Sequence, residues 1–210
     1  MGPAKIRCLD TLRDRQIREL SAVLIDCVEG GASVSFMHPL SGAKAAAFWR
    51  AAAASVRRGE RLVLVAEDEA GTIIGTASVI LNLPENQPHR ADVAKMLVQR
   101  SARGRGVGAA LLAAAERAAL RAGKTLLVLD TVTGSAGERL YARHGWQRCG
   151  VIPDYALWPD GTPGATTIFF KFLRPEPRVP ASSSIRYREG SVRRRREGRS
   201  TGPRGGRGSR

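Results

Sequence analysis

Val98-Gln99-Arg100-Ser101-Ala102-Arg103-Gly104-Arg105-Gly106-Val107-Gly108-Ala109 decides the fold class of this 210-residue chain. The apolar run Ala91 to Val98 before it reads as a strand, and Leu111, Leu112, Ala115, Ala118 and Ala119 after it follow a helical period. Glycines at 104, 106 and 108 strip side chains from the bend, so consecutive backbone N–H groups can approach an anion. A helix N-terminus adds unsatisfied donors and the positive end of its dipole. A diphosphate fits such a bend. The dinucleotide fingerprint wants G-x-G-x-x-G behind the first strand; Gly104-Arg105-Gly106-Val107-Gly108-Ala109 has other spacing and comes mid-chain. A P-loop needs Gly-Lys-Ser/Thr, which the stretch lacks. An isolated RGRG fragment suits RNA, but apolar elements frame this one. What survives is a site for a nucleoside-diphosphate cofactor.

Outward from the bend, the periodicities predict a mixed α/β domain. Lys5 to Leu9 reads as a strand, Arg13 to Glu29 as a helix stopped by Gly30-Gly31, and residues 43–57 as an alanine-rich helix. Leu62 to Ala66 and Thr72 to Leu83 read as strands joined by a turn at Glu69-Ala70-Gly71. The helix opened by the bend runs from about Gly106 to Ala122, and Thr125 to Thr131 is a buried strand. Ser135-Ala136-Gly137-Glu138 is a capping box for a helix over Ala136 to Arg143. Strands near Gln147–Ile152 and Thr166–Leu173 close the domain.

Composition bounds the function. With 43% hydrophobic and 25% charged residues, the chain has ordinary globular material for one sizeable core. The net charge of +15 is unevenly spread: residues 174–210 hold 12 arginines against three acids, which leaves +6 for residues 1–173. The division predicts a folded domain at 1–173 and a disordered Arg/Gly/Pro/Ser-rich tail at 174–210, open to weak nucleic-acid binding by charge and stacking or serving only as a solvated appendage. Cys8, Cys27 and Cys149 have no paired spacing, which points to a reducing compartment. No leader-like apolar segment and no run of about 18 apolar residues are present, so a cytoplasmic location away from membranes is expected. His38, His89 and His144 lack metal spacing, and no metal is expected. Cys149, near no base, is expected to pack in the interior.

Arg103-x-x-Gly106-x-Gly108 matches the Arg/Gln-x-x-Gly-x-Gly/Ala signature of the GNAT acetyltransferase superfamily, and the order of elements resembles that family's. The chain also resembles the tabtoxin resistance acetyltransferase subgroup, through Gly30-Gly31-Ala32-Ser33-Val34, Phe36-Met37, Ser101 to Gly106, Leu129-Asp130-Thr131, Gly134-Ser135, Tyr155, Pro159-Asp160-Gly161 and Thr167-Ile168-x-Phe170-Lys171. The likeness covers about residues 5–173. It implies a mostly antiparallel central sheet, splayed in the middle and flanked by helices. It also implies acetyl-CoA as co-substrate and direct transfer of the acetyl group to an amine.

The resemblance assigns the pyrophosphate to Arg103, Gly104, Arg105, Gly106, Val107, Gly108 and Ala109, and the pantetheine arm and oxyanion donor to the strand at Met96, Leu97 and Val98. It implies that the tyrosine of the 136–143 helix, Tyr141, protonates the departing thiolate; otherwise Tyr141 is a core residue. Asp130, ending an apolar strand, either takes a proton from the amine or caps a turn. Asp92 stands where the subgroup carries a substrate-side glutamate; being shorter, it calls for a water relay, or else is a solvated strand-end charge. The expected acceptor is a small-molecule cationic amine, a toxin or antibiotic being the case suggested by the resemblance. A protein or peptide amine is the alternative acceptor, and a non-catalytic nucleic-acid-binding protein acting through the tail is the alternative function. A monomer or homodimer is expected.

Overall fold

A computed structural model describes residues 4–173. The predicted tail, and with it the nucleic-acid reading, lies outside the described residues. In chain order the elements are β1 (Lys5–Leu9), α1 (Asp14–Glu29), α2 (Gly42–Arg57), β2 (Arg61–Glu67), β3 (Ile73–Ile80), β4 (Arg90–Val98), α3 (Val107–Arg121), β5 (Leu126–Val132), α4 (Ala136–Arg143), β6 (Gln147–Leu157) and β7 (Pro163–Phe172). A short 3-10 turn at Arg100–Ala102, absent from the sequence-based expectation, joins β4 to the glycine bend.

The strands form one sheet in the order β1-β2-β3-β4-β5-β7-β6. Every neighbouring pair is antiparallel except β4 and β5, which run parallel. That parallel pairing spans only Arg90↔Leu126, Ala91↔Leu127 and Asp92↔Val128. Beyond it β4 follows β3 while β5 follows β7, and the sheet opens between them. The β3–β4 register slips by one residue between Thr76↔Leu97 and Ser78↔Ala94, and Lys95, inside the slip, has φ 52°. Such a bulge bends its strand and raises the local twist.

Both sheet faces are covered. In β2, Leu64 and Ala66 enter the core under α3 and α4, with Leu111, Leu112, Ala115, Leu127, Leu129 and Phe169. The alternate residues Val63 and Val65 enter the core under α1 and α2, with Leu20, Leu24, Trp49 and Leu97. Strand alternation feeding two helical layers explains why the central strands read as unbroken apolar runs. Ser41 Oγ caps α2 by accepting from Lys44 N at 3.2 Å.

Two expectations change. The last strands run farther than predicted: Ala156↔Gly164 and Leu157↔Pro163 still pair, and a turn with Gly161 N donating to Trp158 O at 2.9 Å closes the hairpin. The predicted strand stops at Ile152, just before Pro153, yet proline is compatible with an edge strand and a bulge, and β6 is both at the edge and shifted in register between Ile152 and Ala156. Cys149 is no interior packing residue; it is exposed, because β6 lies at the sheet's edge.

Leu127, fully buried where β5 meets β4, holds the parallel junction. Leu127→Ala should cost about 2–5 kcal/mol of unfolding free energy, measured by urea titration.

Candidate active site

The bend is tied down at its entry. Arg100 donates its backbone N–H to Asp26 Oδ2 and its Nε–H to Asp26 Oδ1, each at 2.8 Å, joining the turn to α1. Burial works to raise the Asp26 carboxyl, but the bonds from Arg100 and the charges of Arg100 and Arg103 outweigh it and hold the group below its usual value. Arg103 donates its amide to Arg100 O at 3.3 Å and its Nε–H to Val98 O at 3.2 Å. Its guanidinium thus braces the bend against the end of β4.

Past that brace the main chain is open. Gly104, Arg105 and Gly106 are exposed, and Val107 is buried as the first residue of α3. Gly106 is the helix's N-cap with φ 76°, a left-handed conformation that glycine adopts without strain, and it offers no capping side chain. Ala110 N is the first amide with an intrahelical acceptor, Gly106 O, at 3.0 Å. The six amides from Gly104 to Ala109 donate to no acceptor among the described residues. Unpaired donors on an exposed helix start favour an anion there.

The bend opens beside the divergence of β4 from β5. Gln99 N donates to Ile74 O at 3.0 Å, and Leu97 pairs with Thr76 in the same phase, so the amide and carbonyl of Val98 face away from β3. The carbonyl accepts from Arg103 Nε and, at 3.5 Å, from Cys27 Sγ. The Val98 amide is left on the open side. Met96 packs partly buried against the α3 core, and the buried Leu97 packs on the α1 side, so of the three expected residues Val98 presents its main chain to the gap.

Asp92 sits at the last paired level before the gap. Arg61, Ile80, Asp92, Val128 and Phe170 are register partners across five strands, and directly opposed residues share a sheet face. Asp130, two residues beyond Val128, points to that same face. Asp92 is half-buried and accepts from Arg90 Nη1. Burial pushes its carboxyl up, Arg90 pulls it down, and the Asp130 charge pushes it up again; the net direction is up. Asp130 is exposed and accepts from Thr166 Oγ1 at 3.5 Å, with no local backbone donor of the kind a turn cap would take.

Tyr141 approaches from the opposite face. Ser135 Oγ caps α4 by accepting from Glu138 N at 3.1 Å, while the Glu138 carboxylate reaches back to Gly134 N, one residue beyond the predicted box. This start turns Tyr141 inward, where its ring lies 5.8 Å from Trp146 and 6.0 Å from Phe169. The residue is 5% exposed, and no hydrogen bond joins its hydroxyl to another described residue. Burial, aided by the charge of Asp130, holds the phenol well above its usual range. It is therefore a neutral O–H donor at any ordinary pH. The structure brings Asp92, Asp130 and Tyr141 to one gap, from two sides of the sheet.

Sequence reasoning missed Lys95 and Arg61. Lys95 donates to Ser35 Oγ at 3.1 Å, and its Nζ lies 5.6 Å from the centre of the Phe48 ring on α2. Arg61 lies 5.8 Å from the same ring, and its buried Nε has no partner. The available signal was a lysine in the otherwise apolar stretch Val93-Ala94-Lys95-Met96-Leu97-Val98. Among the described residues no group of three or more His, Cys, Asp or Glu side chains is placed to hold a metal, and no helix is long and apolar enough to cross a membrane.

Two outcomes follow from the bend. Gly106→Ala places a side chain in the left-handed region with nothing within 4 Å of the new Cβ. It should cost about 1–2 kcal/mol from backbone strain alone, read by thermal unfolding. Asp26, ionised more readily in the folded state, contributes stability above the ordinary carboxylate pKa, lost as pH falls through its lowered native value. In urea titrations from about pH 5 downward, stability should fall more steeply for the wild type than for Asp26→Asn.

Comparison with known proteins meets this geometry. Residues 59–148, from the start of β2 through the bend and α4 into β6, match the family described as the acetyltransferase (GNAT) domain. Solved structures share the fold along the described chain. An N-acetyltransferase from Staphylococcus aureus is 18% identical with a TM-score of 0.68, covering 82% of this chain and 100% of that one. A phosphinothricin acetyltransferase from Sinorhizobium meliloti, solved with acetyl-CoA, is 19% identical with a TM-score of 0.68, covering 87% and 98%. A ribosomal-protein-alanine N-acetyltransferase from Brucella melitensis is 24% identical with a TM-score of 0.66, covering 80% and 99%. The splayed sheet, the amide-lined bend and the family match fall on the same residues: the chain has the GNAT fold, and its residues 59–148 are similar to the GNAT acetyltransferase domain.

Proposed function

We propose that the chain transfers the acetyl group of acetyl-CoA to the amine of a small molecule by direct attack, with no acyl-enzyme. One observation carries the reading: six consecutive unpaired amides, Gly104 to Ala109, stand on an exposed helix start beside a gap in the sheet. They suit the pyrophosphate of CoA, while the outward-facing main chain of Val98 suits the pantetheine arm lying in the gap. The solved Sinorhizobium meliloti relative binds acetyl-CoA on the same fold.

The reaction needs a neutral amine, a polarised thioester carbonyl and a proton for the departing sulfur. Asp92, its carboxyl pushed up by burial, and Asp130 lie on the acceptor side and take the ammonium proton, directly or through water. The amine nitrogen then bonds the carbonyl carbon, and a main-chain amide of the Met96–Val98 stretch steadies the oxyanion. As the C–S bond breaks, the Tyr141 hydroxyl gives its proton to the thiolate, and the excess proton on nitrogen leaves through the carboxylates. The buried phenol stays neutral and keeps its proton until a thiolate forms beside it. A toxin or antibiotic amine, suggested by the tabtoxin resistance resemblance, is one acceptor of the kind this site fits, and the cytoplasm is where acetyl-CoA would meet it.

Acetyl-CoA at about 100 times its Kd should stabilise the protein by about 2.7 kcal/mol, seen as a rise in Tm; no rise would remove the binding claim. Tyr141→Phe should lower kcat by roughly 100-fold or more with little change in that thermal protection. Unchanged turnover would remove its role as acid.

A further inference from the structure

The acceptor side of the gap holds cations as well as carboxylates. Arg61, Asp92 and Asp130 share one sheet face, and Lys95, held by Ser35 and Phe48, reaches into the same layer beneath α2. Asp92 has its own cation in Arg90. Lys95 and Arg61 have no carboxylate within ion-pair distance among the described residues; their neighbours are one serine hydroxyl and the face of one ring. Lys44 stands over the adjoining Phe36 ring at 5.9 Å, adding a third positive charge to the rim.

Half-burying cations without a counter-charge is costly. Burial pulls the Lys95 ammonium down, Arg61 pulls it further, and Asp130 works the other way; burial likewise lowers Arg61. Contact with the Phe48 ring offsets part of that cost, and Asp130 acts on Lys95 only from beyond ion-pair distance. A bound oxyanion would compensate both cations. Lys95 lies three residues along β4 from Asp92, on the order of 10 Å of strand. The carboxylates and the cations are therefore spaced for the two ends of one small molecule.

We infer that Lys95 and Arg61 form an oxyanion subsite, so that the acceptor is a small amine that also carries a carboxylate or a phosphorus oxyanion. This rests on the acetyl transfer proposed above and narrows the acceptor from a purely cationic amine to an amino-acid-like one. A protein N-terminus offers an amine with no anion a few bonds away, and fits the pair poorly.

The test is a thiol-release assay with acetyl-CoA and matched acceptors: free amino acids, the amines left by their decarboxylation, their methyl esters, aminophosphonates and short peptides. Amino acids or aminophosphonates should exceed the matched decarboxylated amines and esters at least tenfold in kcat/KM, and the two anionic arms tell carboxylate from phosphorus oxyanion. Lys95→Met should cut that preference at least tenfold, chiefly through KM, and Lys95→Arg should restore most of it. Equal rates for amines with and without the anion, faster peptides, or no anionic acceptor turned over at all would overturn the inference, whatever the folding of the variants. The wild-type comparison decides that without any variant. Failure of the transfer reading looks different: acetyl-CoA gives no thermal protection and no amine releases thiol.

Discussion

The parallel contact between β4 and β5 lasts three residues, and the site depends on its stopping there. A parallel pair continued to the strand ends would spend the Val98 amide on a ladder bond and close the sheet. The one-residue slip opposite Ala77 bends β4, which stays paired with β3, and β5 leaves with β7. Backbone donors are obligatory bonding groups, so a strand edge held open inside a domain is an offer to an extended ligand. The bend at Gly104 to Ala109 extends that offer from the gap onto the surface.

The charges around this opening are sorted by position. At the bend, Arg100 bonds Asp26 and Arg103 bonds Val98 O, while the amides of Gly104 to Ala109 stay open. Main-chain donors suit a diphosphate because several converge at once and none must be ordered on binding. On the acceptor side the arrangement is reversed. Asp92, Asp130, Lys95 and Arg61 are side chains, each on a different strand or separated along one, so here side chains rather than main chain line the opening. Tyr141 stands between the two regions, neutral because its ring is buried against Trp146 and Phe169.

The order of elements, the capped helix over Ala136 to Arg143 and the glycine bend were all legible from local patterns, because glycine conformation, capping and hydrophobic period are near-neighbour effects. The run to Leu157 and the start at Pro163 were not, since Pro153 and Pro163 read as breakers until an edge position makes the missing N–H harmless. Cys149 failed for the same reason: period alone does not say which strand lies at the edge. Arg103 carried the right signature, but its guanidinium turned to Val98 O once α1 and β4 were placed around it.

The sequence by itself determined that a glycine-rich bend between an apolar strand and an apolar helix would leave main-chain amides open, because three glycines within five residues leave no side chains in the way. Only the tertiary structure decided which side chains meet across the opening. Lys95 and Arg61 are 34 positions apart in the chain and join at Phe48 through strand pairing and the packing of α2. Asp92 and Asp130 converge because a sheet sets distant residues side by side at roughly 4.8 Å strand spacing, and Tyr141 is brought up by the packing of α4 against Trp146 and Phe169. That proximity is a property of register and layer packing, and no local pattern encodes it.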